Sequence, residues 1–406
     1  MKKEIVLNKK MNYIVTGAIL VVAIVIAVIS GIQFSKFRHY ETKFVVREDV
    51  VTRIEKFSKY SPKLKGTEGD SNIYVIDSGV PGPSILIIGG THPNEPSGQL
   101  AATIFLENVT VQKGTVYVIT EANKSAYSHS QPQEGSSMYY HITTEYGIRT
   151  FKFGTRASNF VDQWPNPDVY SHNPSGQKLS SNDVRNLNRS YPGDPNGNFT
   201  EKVAWAITNC IKQNNITMTV DLHEASPEYL TINAIIGYPG KENKETGLVN
   251  NSYDIACDVS LKMSFKDVDI SAEVSPAALH GLTHRELGTY TDTLVFLCET
   301  SNASQGKLRG AFTEDLIVTG EDKFYDKAEE LGLLYAAPVH INERVARHVC
   351  SISTIIESYN FYVNQYTSNP NSYNTRYCDT ALGMLEISNI PTYDELIQNG
   401  VGKYLL

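Results

Sequence analysis

Runs of branched aliphatic residues alternate along this chain with stretches whose apolar positions recur every three or four residues. The first run, Tyr13 to Ile32, carries no charge and follows Lys2, Lys3, Lys9 and Lys10. About twenty such residues suffice to cross a bilayer. Short apolar runs at 73–76, 85–88 and 116–119 predict strands, as do 231–236 and the runs that end at His223 and Glu299. Helical spacing predicts helices over 99–107, 200–212, 251–262 and 340–363. The last places Val345, Val349, Ile352, Ile355 and Ile356 on one core-facing stripe. Residues 47–58 also read as a helix, with Val50, Val51, Ile54 and Phe57 on one side. Strands alternating with helices predict an α/β fold: a mixed, largely parallel twisted sheet with helices on both faces, preceded by one transmembrane helix.

The pattern divides the chain into a short basic tail (1–10), a transmembrane anchor or signal segment (11–33) and a stalk with an edge helix (34–69). A main domain follows (70–365), then a C-terminal extension (366–406). Within the main domain, 123–182 is rich in Ser, Asn, Gly, Tyr and Pro and lacks periodicity. Loops of that length are usually functional or disordered; this one is placed either as a wall of a cleft or as a surface insertion.

Composition adds bounds. With 41% hydrophobic and 20% charged residues the chain can bury a substantial core. A net charge of -8 and a pI near 5.7 argue against a nucleic-acid partner. Five cysteines, Cys210, Cys257, Cys298, Cys350 and Cys378, form no spaced motif and leave the compartment open.

The candidate chemistry sits at strand ends. Four branched aliphatics, Ile85 to Ile88, run into Gly89-Gly90-Thr91-His92-Pro93-Asn94-Glu95-Pro96. A parallel sheet binds ligands beyond the carboxyl ends of its strands, which is where His92 and Glu95 fall. A catalytic zinc needs three nitrogen or oxygen ligands from the protein and one open position. His223 closes the β-branched run 216–223 and is the candidate third ligand. Between them lies Asn186-Leu187-Asn188-Arg189-Ser190-Tyr191-Pro192-Gly193, and a later apolar run, 294–298, ends in Glu299.

In this order, the His92/Glu95 HxxE pair, Asn188-Arg189 within NLNR, the DLH of His223 and strand-terminal Glu299 resemble the zinc carboxypeptidase superfamily. The stretches 89–96 and 187–198 resemble its succinylglutamate desuccinylase/aspartoacylase branch. The resemblance covers about residues 71–300. It implies one Zn²⁺ per chain on His92, Glu95 and His223, and a substrate carboxylate held by Asn188 and Arg189. Glu299 is then the general base that takes a proton from water and returns it to the leaving amine. Glu224 is its rival, but neighbours in a strand point to opposite faces. Arg185 is the candidate for polarising the scissile carbonyl, although it is offset from where the family pattern places that arginine. His284, Arg285 and Tyr290 are expected to line the pocket, with Asp221 behind a ligand.

The function implied is a zinc-dependent hydrolase acting on an amide bond in a carboxylate-bearing substrate, an N-acyl amino acid deacylase. The alternatives are a metallocarboxypeptidase acting on peptides or cell-wall stem peptides, an esterase, and a non-catalytic binding module. The anchor suggests a membrane-held enzyme with its domain outside the cytoplasm, or a secreted one if Val28-Ile29-Ser30 is cleaved. Asn188-Arg189-Ser190 is a glycosylation sequon inside the proposed pocket, which favours a prokaryotic source.

Overall fold

The structure, a computed structural model, describes residues 9–131, 135–242, 249, 251–334, 337–368 and 381–406. Two compact units are present, Met1–Glu41 and Thr42–Leu406. The first is helix α1, Lys9–Arg38. Its 30 residues include an 18-residue stretch of mean hydropathy 2.8, so it is long and apolar enough to cross a membrane.

The second unit is built on an eight-stranded sheet. In chain order its strands are β1 (Arg53–Lys56), β2 (Asn72–Asp77), β3 (Ser84–Ile88), β4 (Thr115–Ile119), β5 (Met218–Ala225), β6 (Ala234–Gly237), β7 (Ser271–Val274) and β8 (Leu294–Ser301). In space they run β1-β2-β4-β3-β5-β8-β6-β7. The four central strands β4, β3, β5 and β8 are parallel, and antiparallel pairs flank them. The expected mixed, largely parallel α/β architecture is therefore what forms. From β3 the chain first adds β4 on one side and later β5 on the other. That reversal is the topological switch point at which open α/β sheets bind ligands.

Side-chain alternation sorts the two cores. Ile85 and Ile87 of β3, with Met218, Val220 and Leu222 of β5, face one side. Helices α2 (Pro96–Asn108), α4 (Ser252–Ser264) and α6 (Ile341–Ser368) cover it. Leu86 and Ile88 face the other, beneath α3 (Phe199–Asn214) and α5 (Thr283–Tyr290). A capping box between Asn198 and Glu201 starts α3, and Asn215 ends it in the left-handed region at φ 47°. Helix α2 packs onto β5 so closely that a Cβ on Gly98 would lie 2.5 Å from the Leu222 carbonyl oxygen. Only glycine fits there.

Two expectations need correction, the helix over 47–58 and the lack of regular structure in 123–182. Residues 47–58 are not a helix. They form a turn, edge strand β1 paired with β2, and one helical turn, Phe57–Tyr60. Ile54 is half exposed, whereas Glu55 is buried among Arg53, Lys59 and the Tyr60 hydroxyl. Tertiary pairing has overridden the apolar period. Residues 42–69 and the described residues 381–406 group with the second unit. Leu385, Leu396, Val401 and Leu405 are core residues, and strand Glu386–Ser388 pairs with Thr110–Lys113. The 123–182 stretch contains two hairpins, Tyr139–Thr144 with Gly147–Lys152 and Val169–Ser171 with Lys178–Ser180. The first inserts Tyr140, Ile142 and Phe151 into the core. Cys210, Cys257, Cys298 and Cys350 are free thiols, and Cys378 lies outside the described residues.

Candidate metal centre and active site

The turn after β3 and the end of β5 bring three side chains together. His92 and His223 are 1% exposed and Glu95 is 2% exposed. The two Nδ1 atoms are 3.2 Å apart. Glu95 offers Oε1 to His92 Nδ1 at 2.8 Å and Oε2 to His223 Nδ1 at 2.9 Å. Each imidazole is held from behind: His92 Nε2 lies 2.9 Å from Asn186 Oδ1, and His223 Nε2 lies 2.9 Å from Asp221 Oδ2. Asp221 is fixed in turn by the hydroxyls of Thr91 at 2.8 Å and Thr283 at 2.5 Å.

This arrangement selects a tautomer. If each Nε2–H donates to its backing oxygen, both Nδ1 lone pairs and the Glu95 carboxylate point at one another. Three buried acceptors facing a common point repel unless a proton or cation sits among them. Zinc has the matching preference for two imidazole nitrogens and a carboxylate oxygen, so the residues fit the ion. With protons alone, burial lowers the His92 pKa to about 4, with Arg156 pushing the same way. The His223 pKa is raised well above its usual value; burial opposes this, but the Asp221 and Glu95 carboxylates outweigh it. Against its own burial, the two histidines hold Glu95 well below the usual carboxylate range.

Glu299 follows from strand register. β5 and β8 pair in parallel with His223 opposite Glu299 and Glu224 opposite Thr300. His223 and Glu299 thus share one face, and Glu224 takes the other, where it pairs with Arg344 of α6 at 2.9 Å. Glu299 Oε2 is enclosed and has no hydrogen-bond partner. Burial raises its pKa to about 8, opposed by His223 and assisted by Glu95. A carboxyl that readily holds a proton beside a metal site suits general acid–base work.

A cavity of about 420 Å³ adjoins the centre, lined among others by Glu95, Glu299, Arg156, Tyr229 and Gln305. Arg156 and Gln305 were not singled out by motif. Arg156 Nη1 is 3.3 Å and Gln305 Nε2 is 2.8 Å from Glu95 Oε1. Arg156 comes from the 123–182 stretch, where one arginine in irregular sequence gives no spacing signal. Asn186, which backs His92, carries no sequence signal beyond its position two before Asn188.

The remaining expected residues are spread out. Arg189 is largely buried and donates to the Asn188 carbonyl oxygen at 2.6 Å. Its pKa is lowered by burial and by Arg156, and Asp183, Tyr229 and Glu299 are among the groups that act on its charge. Asn188 Oδ1 accepts from Thr283 N at 2.8 Å, so it anchors the start of α5. His284 is buried against Ser275, its Nδ1 2.7 Å from the hydroxyl. Arg285 and Tyr290 lie on α5 and do not line the cavity at the metal centre; Tyr290 is 39% exposed. Arg185 turns away: Nε donates to Asn166 Oδ1 at 2.9 Å, Nη1 to the Ser158 carbonyl, and the guanidinium stacks on Phe160 at 3.6 Å. Its bonds hold the 158–166 loop, and Arg156 is the arginine beside Glu95.

A second group, His172, His280 and Glu286, is close enough in space to hold an ion. Its histidine rings stack at 22°, and His172 already bonds Ser175 Oγ and the Tyr191 carbonyl. Those bonds account for the group without a metal.

No family model matches this chain, and no curated protein matches it in sequence. Solved structures do. A succinylglutamate desuccinylase from Silicibacter sp. TM1040 is 16% identical, covering 57% of this chain and 53% of that one, with a TM-score of 0.33. An aspartoacylase family protein from Mesorhizobium loti is 17% identical, covering 57% and 56%, with a TM-score of 0.33. The tripeptide-bound cell shape determinant Csd4 from Helicobacter pylori is 13% identical, covering 71% and 55%, with a TM-score of 0.40. The chain spans about half the length of each of these structures, so it is similar to them over part of its fold, and what its site can do rests on its own side chains.

Proposed function

We propose that this chain is a zinc-dependent hydrolase that cleaves an amide bond in a carboxylate-bearing substrate, as an N-acyl amino acid deacylase does. The observation that supports this most is the convergence of His92 Nδ1, Glu95 and His223 Nδ1 with Glu299 in register on the adjoining strand. Zinc held by those three residues would lower the pKa of water and polarise a carbonyl. Glu299 takes the proton from the attacking water and passes it to the leaving amine, a role typically worth about 10²- to 10⁴-fold. Arg189, with the Asn188 amide nitrogen, binds the substrate carboxylate. Arg156 faces the developing oxyanion. Helix α1 holds the enzyme at a membrane, with the second unit outside the cytoplasm.

A metallocarboxypeptidase acting on peptides is the second reading. It is favoured by a further cavity beyond Arg156, which leaves room for substrate on more than one side of the centre.

Elemental mass spectrometry on the full chain in detergent tests the proposal, with His223→Ala as comparison. About one zinc per chain, lost in the variant, is expected. Glu299→Gln should keep the zinc while losing hydrolysis of N-acyl amino acids and short peptides. A folded wild type that takes up no zinc overturns the proposal. Zinc binding with no turnover on any amide or ester would make it a binding module instead.

A further inference from the structure

Among the described residues three arginines are more than nine-tenths buried: Arg185, Arg344 and Arg347. Arg344 is paired with Glu224, and Arg347 with Glu343. Arg185 has no such partner among the described residues. Its Nε and Nη1 are taken by neutral oxygens of Asn166 and Ser158, and its flat face lies on Phe160. Its lowered pKa reflects burial alone, with no carboxylate acting to raise it. Its third nitrogen, Nη2, has no hydrogen-bond partner among the described residues and is not enclosed. A buried cation without a counter-ion is costly, and proteins normally pair it.

The guanidinium forms part of the wall of a cavity of about 470 Å³. Arg156 lines this cavity and the one at the metal centre, so the two meet there. The carboxylate in the lining, Asp183, is held by the Ser180 hydroxyl at 2.8 Å and the Asn186 amide at 3.4 Å. It makes no ion pair with Arg185.

We propose that this cavity is an anion subsite in which Arg185 Nη2, with Arg156 beside it, receives a carboxylate or phosphate oxygen. On the hydrolase reading, which this assignment rests on only for the ligand's being part of the substrate, the substrate carries two anionic groups. One meets Arg189, and the other lies beyond Arg156. Nε and Nη1 are already bonded, so Arg185 offers one nitrogen and orients the group singly rather than as a fork. The Phe160 face below keeps the guanidinium flat and shields it from water.

The test is calorimetric titration of the full chain in detergent with succinate, inorganic phosphate and neutral succinamide. Succinate or phosphate should bind and succinamide should not; the tighter of the two anions identifies the source of the oxygen. Arg185→Gln should weaken that binding at least tenfold and Arg185→Lys by less. Asn182→Asp serves if Arg185→Gln does not fold. It keeps the oxygen that accepts from Asn166 at 3.0 Å while adding a negative charge to the lining, and should weaken anion binding several-fold. Anion affinity unchanged in both Arg185→Gln and Asn182→Asp, or no preference over succinamide, overturns the subsite. Binding is read without turnover, so a chain that binds anions through Arg185 but hydrolyses nothing counts against the hydrolase reading alone.

Discussion

The Glu224–Arg344 pair fixes the strand that carries His223 to the longest helix of the second unit, and its removal gives a measurable prediction. Both side chains are fully buried and 2.9 Å apart, and Arg344 also donates to the Ile317 carbonyl. At an effective dielectric near 20 the attraction is about 6 kcal/mol. Desolvation of two ions offsets much of this, so the pair's net worth is small. Arg344→Met removes the attraction but leaves Glu224 in place, which should cost about 3–5 kcal/mol. For a unit of this size that is a fall in Tm of about 4–6 °C. The Glu224 pKa is raised to about 7 by burial, with Arg344 working to lower it. Without the arginine it rises further above its unfolded value. The folded state then holds a proton that the unfolded state releases above about pH 4.5, so the deficit grows as pH increases. Scanning calorimetry at pH 5.5 and 7.5 on wild type, Arg344→Met and Arg344→Met/Glu224→Gln reads both effects. The double variant should recover most of the loss. A single variant that melts within a degree of wild type at pH 7.5, or a double variant that melts lower than the single, refutes this account.

Other expectations concern the site. Asn186→Ala frees His92 Nε2 and should weaken zinc binding about 10- to 100-fold by competition with a chelator, with Asp221→Asn giving a similar loss through His223. Arg156→Gln should lower kcat about 10²- to 10³-fold at unchanged zinc content; an unaltered kcat would remove it from the chemistry. In zinc-free protein, Glu299, raised to about 8, stays protonated in the folded state where the unfolded chain has ionised. Its contribution to stability therefore falls as pH rises from about 4.5 through 8. The difference in Tm between wild type and Glu299→Gln should shift in the variant's favour over that window, and a flat difference would show that Glu299 titrates normally. Gly98→Ala drives a methyl into the Leu222 carbonyl and should lower both Tm and zinc occupancy.

What the sequence disclosed follows the strength of local signals. β3, β5 and β8 are buried on both faces; β3 and β8 read as unbroken apolar runs and β5 as a β-branched run broken by Thr219 and Asp221, and His92, Glu95, His223 and Glu299 were picked out at their ends. The opposite pointing of Glu224 followed from alternation alone. β1 was misread because its anchoring residue is a buried glutamate and its isoleucine is exposed, the reverse of what hydrophobic periodicity assumes. β7 and the hairpins of 123–182 are short, and their partners lie far away in the chain or across a tight turn. Arg156 and Arg185 show the limit most plainly. Both are arginines in irregular sequence, and only the folded loop decides which one stands beside Glu95.

The pairing of His223 with Glu299 across β5 and β8 has a consequence for how such a chain can change. Their separation is set by the rung spacing of two adjoining strands, as on a fixed ruler, while Arg156, Tyr229 and Gln305 reach the cavity from connections outside the sheet. Insertions or exchanges in those connections would alter what the cavity admits without moving Glu299 relative to His223. A slip of one residue in β8 would instead turn Glu299 to the opposite face. The scaffold thus separates a part that tolerates innovation from a part that does not, and a library of the cavity-lining connections that spares Arg156 would vary recognition while holding His223 and Glu299 at constant gauge.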